Sequence, residues 1–321
     1  MRSVATWMLL AVPTLAAIGC EATADTASET ALDETSSVVE VTATGLELTG
    51  PSEIPSGWTT LRLNNESEMT HFAVLERLPD SIGIEHQQAE VAPVFQAGMD
   101  LLNAGQVDAA MAKFGELPAW YGKVVFMGGP GLIAAGETAE STVYLEPGTY
   151  LLECYVKTAG RFHSARPAPD MYGMVHEITV TDERSEATEP ESTIDITLSS
   201  TRGIETDGNL VAGPQTIAVH FEDQVVHEHF LGHDVHLVRL AEDTDLEELE
   251  IWMDWTQPTG LTTPAPVEFV GGIQEMPAGS TGYFTAVLEP GRYAWISEVP
   301  NAGDKGMLKS FTVSAAEDAT N

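Results

Sequence analysis

The chain contains two copies of one unit. Residues 125–148, VFMGGPGLIAAGETAESTVYLEPG, align without a gap on residues 268–291, EFVGGIQEMPAGSTGYFTAVLEPG, at an offset of 143 residues. Gly128-Gly129 falls on Gly271-Gly272, Gly136 on Gly279, and Leu145-Glu146-Pro147-Gly148 on Leu288-Glu289-Pro290-Gly291, with Tyr150 and Tyr293 extending the match. Further on, the run from Gly173-Met174 matches the run from Gly306-Met307. Upstream, the run from His71 matches the run from His236. A fixed internal offset means a repeated structural unit. It predicts one domain at 39–182 and a second at 193–315, with an acidic linker at 183–192 and a tail at 316–321.

Each copy alternates apolar and polar residues in short runs. Val39 to Ala43, Thr60 to Leu63, Thr142 to Leu145 and Glu177 to Val180 do so in the first copy. Ile194 to Leu198, Thr216 to Val219, Val235 to Leu240 and Ser310 to Val313 do so in the second. Period-2 runs between Gly and Pro turns predict strands of a two-sheet sandwich. The content of 28 Gly and 18 Pro agrees, since both residues punctuate loops and disfavour helix bundles. The first copy is longer: 56 residues separate His71 from Gly128, against 34 between His236 and Gly271. The excess holds a helical insertion at about 84–117, with Val91, Val94, Phe95, Met99 and Leu102 at helical spacing, then Val107, Met111 and Phe114 after a break at Asn103-Ala104-Gly105. That stripe reads as a packing face. The second copy has one short helix, Asp245 to Met253.

The first twenty residues read as an export signal: Arg2, then an apolar stretch too short to span a membrane. Leu15-Ala16-Ala17-Ile18-Gly19-Cys20 resembles a bacterial lipobox, which implies lipidation at Cys20 and a lipid anchor to a bacterial membrane, periplasmic or cell-surface. Residues 21–38, rich in Ala, Thr, Ser and acid, lack the apolar surface to fold and read as a disordered tether. With Cys20 acylated, Cys154 is the one free thiol. The net charge of −35 excludes nucleic acid as a partner and any electrostatic attraction to anionic lipid. Oligomeric state is not readable.

The chemistry concentrates after the repeated Leu145-Glu146-Pro147-Gly148 turn of copy one. The sequence runs Gly148-Thr-Tyr150-Leu-Leu-Glu-Cys154, then His163, then Gly173-Met174 entering a strand. Upstream stands Leu63-Asn64-Asn65-Glu66-Ser67-Glu68-Met69-Thr70-His71. This order resembles the cupredoxins, the blue-copper fold. The resemblance implies an all-β fold of two tandem cupredoxin-like Greek-key sandwiches. It further implies one copper in the first domain, with His71, Cys154, His163 and Met174 as ligands. A thiolate, two imidazoles and a weak thioether suit both copper oxidation states. The loops here are longer than the family's: eight residues separate Cys154 from His163 and ten separate His163 from Met174. A loop of that length need not hold His163 at the centre, and Met171 and His176 compete for the remaining position.

Copy two carries Ser297 where copy one has Cys154, and no His between Ser297 and Met307, so the same site cannot form twice. It does carry His227, His229, His233 and His236 within ten residues. The first two are expected on one strand face, the others across a Gly turn, giving an alternative copper or zinc group. Gly-x-Ser-x-Gly, Walker and Gly-x-Gly-x-x-Gly motifs are absent, so the sequence leans away from an enzyme. The leading expectation is an exported electron-transfer protein whose acidic surface steers a basic redox partner. The alternative is a metal-free binding or scaffold module on the cell surface.

Overall fold

Every alternating run becomes a strand in the computed structural model, which describes residues 38–165 and 172–315. The expected signal peptide, Cys20, the tether to residue 37, Met171 and the 316–321 tail lie outside the described residues. Copy one supplies β1 (Val38–Thr44), β2 (Glu47–Thr49), β3 (Glu53–Asn65), β4 (Val74–Arg77), β5 (Val125–Phe126), β6 (Thr138–Leu145), β7 (Gly148–Glu153), β8 (Lys157–Thr158), β9 (Arg161–Phe162) and β10 (Val175–Arg184). Copy two supplies β11 (Ile194–Ser199), β12 (Gly203–Gly208), β13 (Gly213–Phe221), β14 (Val235–Leu240), β15 (Glu268–Ile273), β16 (Thr281–Leu288), β17 (Gly291–Ile296) and β18 (Leu308–Val313). Val38 opens β1, and β10 runs on through Arg184 into the expected linker.

The repeat is legible in the pairing. Copy one joins β2-β1-β3-β6 in one layer and β5-β4-β7-β10 in the other; copy two joins β12-β11-β13-β16 and β15-β14-β17-β18 in the same order. Each is a sandwich whose facing layers meet on inward side chains such as Leu61, Leu63, Val143, Phe221 and Phe284. Arg62, between two of those, points outward to Glu40 and Glu140. The fold is all-β, two such sandwiches, with a helical insertion in the first.

The copies share a sheet. β6 and β16 pair antiparallel, with Tyr283 opposite Thr142 and Thr285 opposite Glu140. The repeated Gly-Gly segments also meet: Gly128 N–H donates to the Glu275 carbonyl, Gln274 N–H to Gly129 and Gly131 N–H to Gly272. This explains the doubled glycines. A Cβ on Gly129 (φ +105) would lie 2.1 Å from the Ala73 carbonyl oxygen, and one on Gly272 (φ +142) 2.4 Å from that of Val235. Both obstacles are backbone, which cannot rotate away. Gly129→Ala is expected to lower unfolding free energy by about 2–3 kcal/mol in urea melts.

The insertion contains α1 (Ile84–His86), a π-turn over Gln87–Val91, α2 (Ala92–Asn103) and α3 (Val107–Phe114). Gly105 (φ +73) makes the expected break, and Gly98 lets the Phe114 ring lie against α2. Met99 and Phe114 are buried as expected of a packing face, while Val107 and Met111 are exposed. α4 (Leu246–Met253) is the expected short helix of copy two, capped by Asp245, which accepts from Glu247 and Glu248 N–H. Among the described residues, no helix is long and apolar enough to cross a membrane.

Candidate metal centre

Three of the expected ligands converge. The donor atoms of His71, Cys154 and His163 lie within 4.8 Å of one another, and all three residues are buried. Cys154 Sγ is 3.6 Å from His71 Nδ1, and the two Nδ1 atoms are 3.3 Å apart.

Each is placed by its own backbone element. Cys154 follows β7, and its N–H donates to the Met174 carbonyl at 3.0 Å. Met174 N–H in turn donates to the His163 carbonyl at 2.9 Å, so the Met174 backbone ties both ligand segments together, and its side chain is buried. His71 sits in a β-bridge with Ile133 behind a turn ordered by Asn65, whose Nδ2 donates to the Met69 carbonyl at 2.7 Å.

The long loop holds His163 after all. Its extra residues form a tight hairpin, β8 and β9, around Ala159 (φ 51) and Gly160 (φ 77), the positive-φ pair a two-residue turn requires. The hairpin returns His163 to Cys154, with His163 N–H donating to the Val156 carbonyl at 2.8 Å. Copy two clamps this hairpin. Lys157 Nζ, fully buried, donates to the carbonyls of Trp255 at 2.6 Å and Gln257 at 2.8 Å. Thr158 Oγ1 lies 2.8 Å from His163 Nε2 and 3.0 Å from Thr263 Oγ1. Lys157→Met would strand two carbonyls and loosen the clamp. We expect a loss of about 2 kcal/mol in stability and a weaker affinity for copper, read by urea melts and metal titration.

Electrostatics suit a metal ligand set. Burial pushes His71 down to about 4 and, with the His71 ring adding to it, His163 down to about 3. Both rings are therefore neutral at pH 7, the form that ligates. Burial pushes the Cys154 thiol up to about 12, so metal binding must displace its proton. His71 Nδ1 faces the thiol, and His163 Nε2 has Thr158 behind it, an arrangement that fixes a ligating ring. His71 Nε2 has no hydrogen bond of ordinary geometry, though the Gly45 carbonyl acts on the ring against the effect of burial. Two imidazoles and a thiol in a closed, carboxylate-free set fit copper.

The other candidates go elsewhere. His176, half-buried on β10, has Nε2 3.1 Å from the Pro51 carbonyl. The four histidines of copy two do not form one set, and His227 and His229 are not on a strand, since Glu228–Phe230 is a single 3-10 turn. His227 and His233 meet at Nε2, 2.9 Å apart; His229 turns to Asp254 at 3.0 Å; His236 turns to Asp234 at 2.8 Å. The reason is local: positive φ at His229 and Phe230 turns the chain away from an extended path.

Copy two has a buried group of its own at the equivalent place: Asp234, His236 and Glu298. Sequence reasoning found His236 but missed the two acids, whose only signals were Asp234 standing two residues before His236 and Glu298 directly after Ser297. Leu132 N–H donates to His236 Nδ1 at 3.0 Å, so Nε2 carries the proton and donates to Asp234. The two carboxylates favour a proton on both ring nitrogens, but the Leu132 N–H leaves room for only one. Asp234 Oδ1 also accepts from Ser297 Oγ and from Glu298 N–H, and Glu298 Oε2 from the Tyr155 hydroxyl. The bonded atoms make the group a hydrogen-bonded network, in which Glu298 Oε1, 3.4 Å from His236 Nε2, is the one oxygen without an ordinary hydrogen bond.

No protein-family model matches the chain, and a search of curated proteins finds no match. Among solved structures, the chain resembles auracyanin A, a "blue" copper protein from Chloroflexus aurantiacus, at 22% identity, covering 45% of this chain and 98% of that one, with a TM-score of 0.24. Reduced auracyanin from Roseiflexus castenholzii matches at 15% identity over 37% of this chain and 94% of that one, TM-score 0.26. A copper-containing nitrite reductase from Thermus scotoductus matches at 13% identity over 88% of this chain and 62% of that one, TM-score 0.21. At such TM-scores these likenesses carry no weight for the site, which stands on its side-chain geometry.

Proposed function

We propose that copy one binds a single copper ion through His71, Cys154 and His163, with Met174 as a weak fourth ligand, and that the protein carries electrons. The observation that supports this is the convergence of one donor atom each from His71, Cys154 and His163 within 4.8 Å of one another in a buried set. Copper held there supplies reversible one-electron exchange. The chain's part is to exclude water, to keep both imidazoles neutral and to hold the three donors on separate, hydrogen-bonded segments. Rigidity of that kind keeps reorganisation small as charge changes.

The same reading makes the chain an exported protein, anchored by lipid on Cys20, with the acidic tether holding the sandwiches off the membrane. Its net charge of −35 then draws a basic redox partner by long-range attraction. Adding Cu(II) to the purified protein should produce an intense visible band from thiolate-to-copper charge transfer, saturating at one copper per chain. A protein that stays colourless, or takes zinc but not copper, overturns the proposal.

A further inference from the structure

Between the two copies lies a cavity of about 70 Å³ that the metal centre does not use. A single water needs about 10–15 Å³ by the same measure, so the space suits one small organic group or a few waters. Its walls carry three carboxylates, Glu76, Glu153 and Glu275, and no lysine or arginine. Glu153 accepts from Gln87 Nε2, and Glu275 accepts from Gly232 N–H at 2.9 Å. Glu76, on β4, is 4% exposed and accepts no hydrogen bond from any described residue. A buried carboxyl group without a donor or a counter-charge is costly to ionise, so a cation placed in the cavity would stabilise its charged form.

The rest of the wall says which kind. Phe95 from α2 meets Trp255 at 5.8 Å, Phe230 at 6.4 Å and Tyr121 at 5.7 Å between ring centroids, drawing on both copies. Phe230 is 47% exposed and carries this wall out to solvent. Aromatic faces attract cations whose charge sits under an organic shell. An inorganic cation would instead require several oxygens close enough together to reach one ion. Among the described residues, these carboxylates form no set of three ligand atoms within 4.8 Å. Burial first, and then repulsion from Glu153 and Glu275, push Glu76 well above the usual carboxylate range. Burial raises Glu275 to about 8. In the empty cavity Glu76 therefore holds its proton, which an entering cation would displace.

We infer that this cavity binds a small organic ammonium ion, with Glu76 supplying the counter-charge and Phe95, Phe230 and Trp255 the aromatic wall. The inference does not depend on the metal centre.

Calorimetric titration of the purified full chain with choline and with its uncharged carbon isostere, dimethylbutanol, tests it. Choline should bind at least about tenfold tighter than the isostere. Glu76→Gln should remove about tenfold of the choline affinity; Gln is nearly isosteric with the protonated acid that the empty cavity favours, so the fold is retained. Phe230→Ala, at a half-exposed position, should weaken choline binding with an unchanged circular dichroism spectrum. Equal binding of the two probes, absence of choline binding, indifference to Glu76→Gln, or displacement of choline by equimolar calcium would each overturn the inference.

Discussion

Cys154→Ser should erase the visible band of the copper-loaded protein completely and lower its melting temperature by only a few degrees. The first half follows from chemistry: the band requires a thiolate donor, and a serine hydroxyl stays protonated in a buried site. The second half is argued by the molecule itself. Copy two already carries Ser297 at the equivalent point, and its N–H donates to the Met307 carbonyl at 3.0 Å, just as Cys154 donates to Met174. The backbone therefore accepts either residue. The difference lies in what receives the hydroxyl. Ser297 Oγ donates to Asp234. The corresponding acid is lacking in copy one, where Met69 stands in its place and a serine hydroxyl would donate to an imidazole, His71 Nδ1. That weaker pairing accounts for a modest loss of about 1 kcal/mol. Absorbance and thermal melts of the variant check both halves. A variant that keeps the band places copper elsewhere, whereas one that fails to fold contradicts the equivalence of the two positions.

Local and periodic features were legible in the sequence; long-range ones were not. Alternation marked the strands, and the 143-residue offset marked the duplication, because both are written in consecutive residues. His71, Cys154 and His163 were readable as a group through the order His, Cys, His, Met that the chain shares with the cupredoxins. The hairpin that brings His163 home was readable only in part. Ala159-Gly160 is a turn signal, but nothing nearby shows that Lys157 would find its partners about a hundred residues later in copy two. The shared sheet was hidden for the same reason: an exposed strand edge looks alike whether it meets water or another strand. The carboxylate cavity was hidden by abundance. With 49 acidic residues, Glu76 and Glu275 carry no distinguishing mark until burial singles them out. The Met and aromatic stripe of the insertion was read as packing, which holds for Met99 and Phe114, while Phe95 lines a cavity.

Those buried acids give the metal-free protein an unusual pH profile: stability should fall by at least about 2 kcal/mol on going from pH 6.5 to pH 8. Glu275 has a folded value of about 8 against an ordinary 4.5, raised chiefly by burial. The folded state thus holds a proton that the unfolded chain has lost, and the resulting stability fades as pH rises toward 8. Each unit is worth about 1.4 kcal/mol, so Glu275 contributes about 2 kcal/mol between pH 6.5 and 8. Glu76 is raised for the same reason and adds in the same direction. The histidines act oppositely and at lower pH. His71 at about 4 and His163 at about 3 stay neutral in the fold while their unfolded forms gain protons below 6.5, so stability falls as pH drops through that range. Lys157, lowered by burial to about 8 from 10.5, adds stability only above pH 8, outside this window. Urea melts at pH 6.5 and pH 8 measure the drop. Glu275→Gln, which keeps an oxygen for Gly232 N–H, should remove about 2 kcal/mol of it. Stability that is flat or rising from pH 6.5 to 8 would show that these carboxylates are ionised in the fold, with charges balanced by some other means.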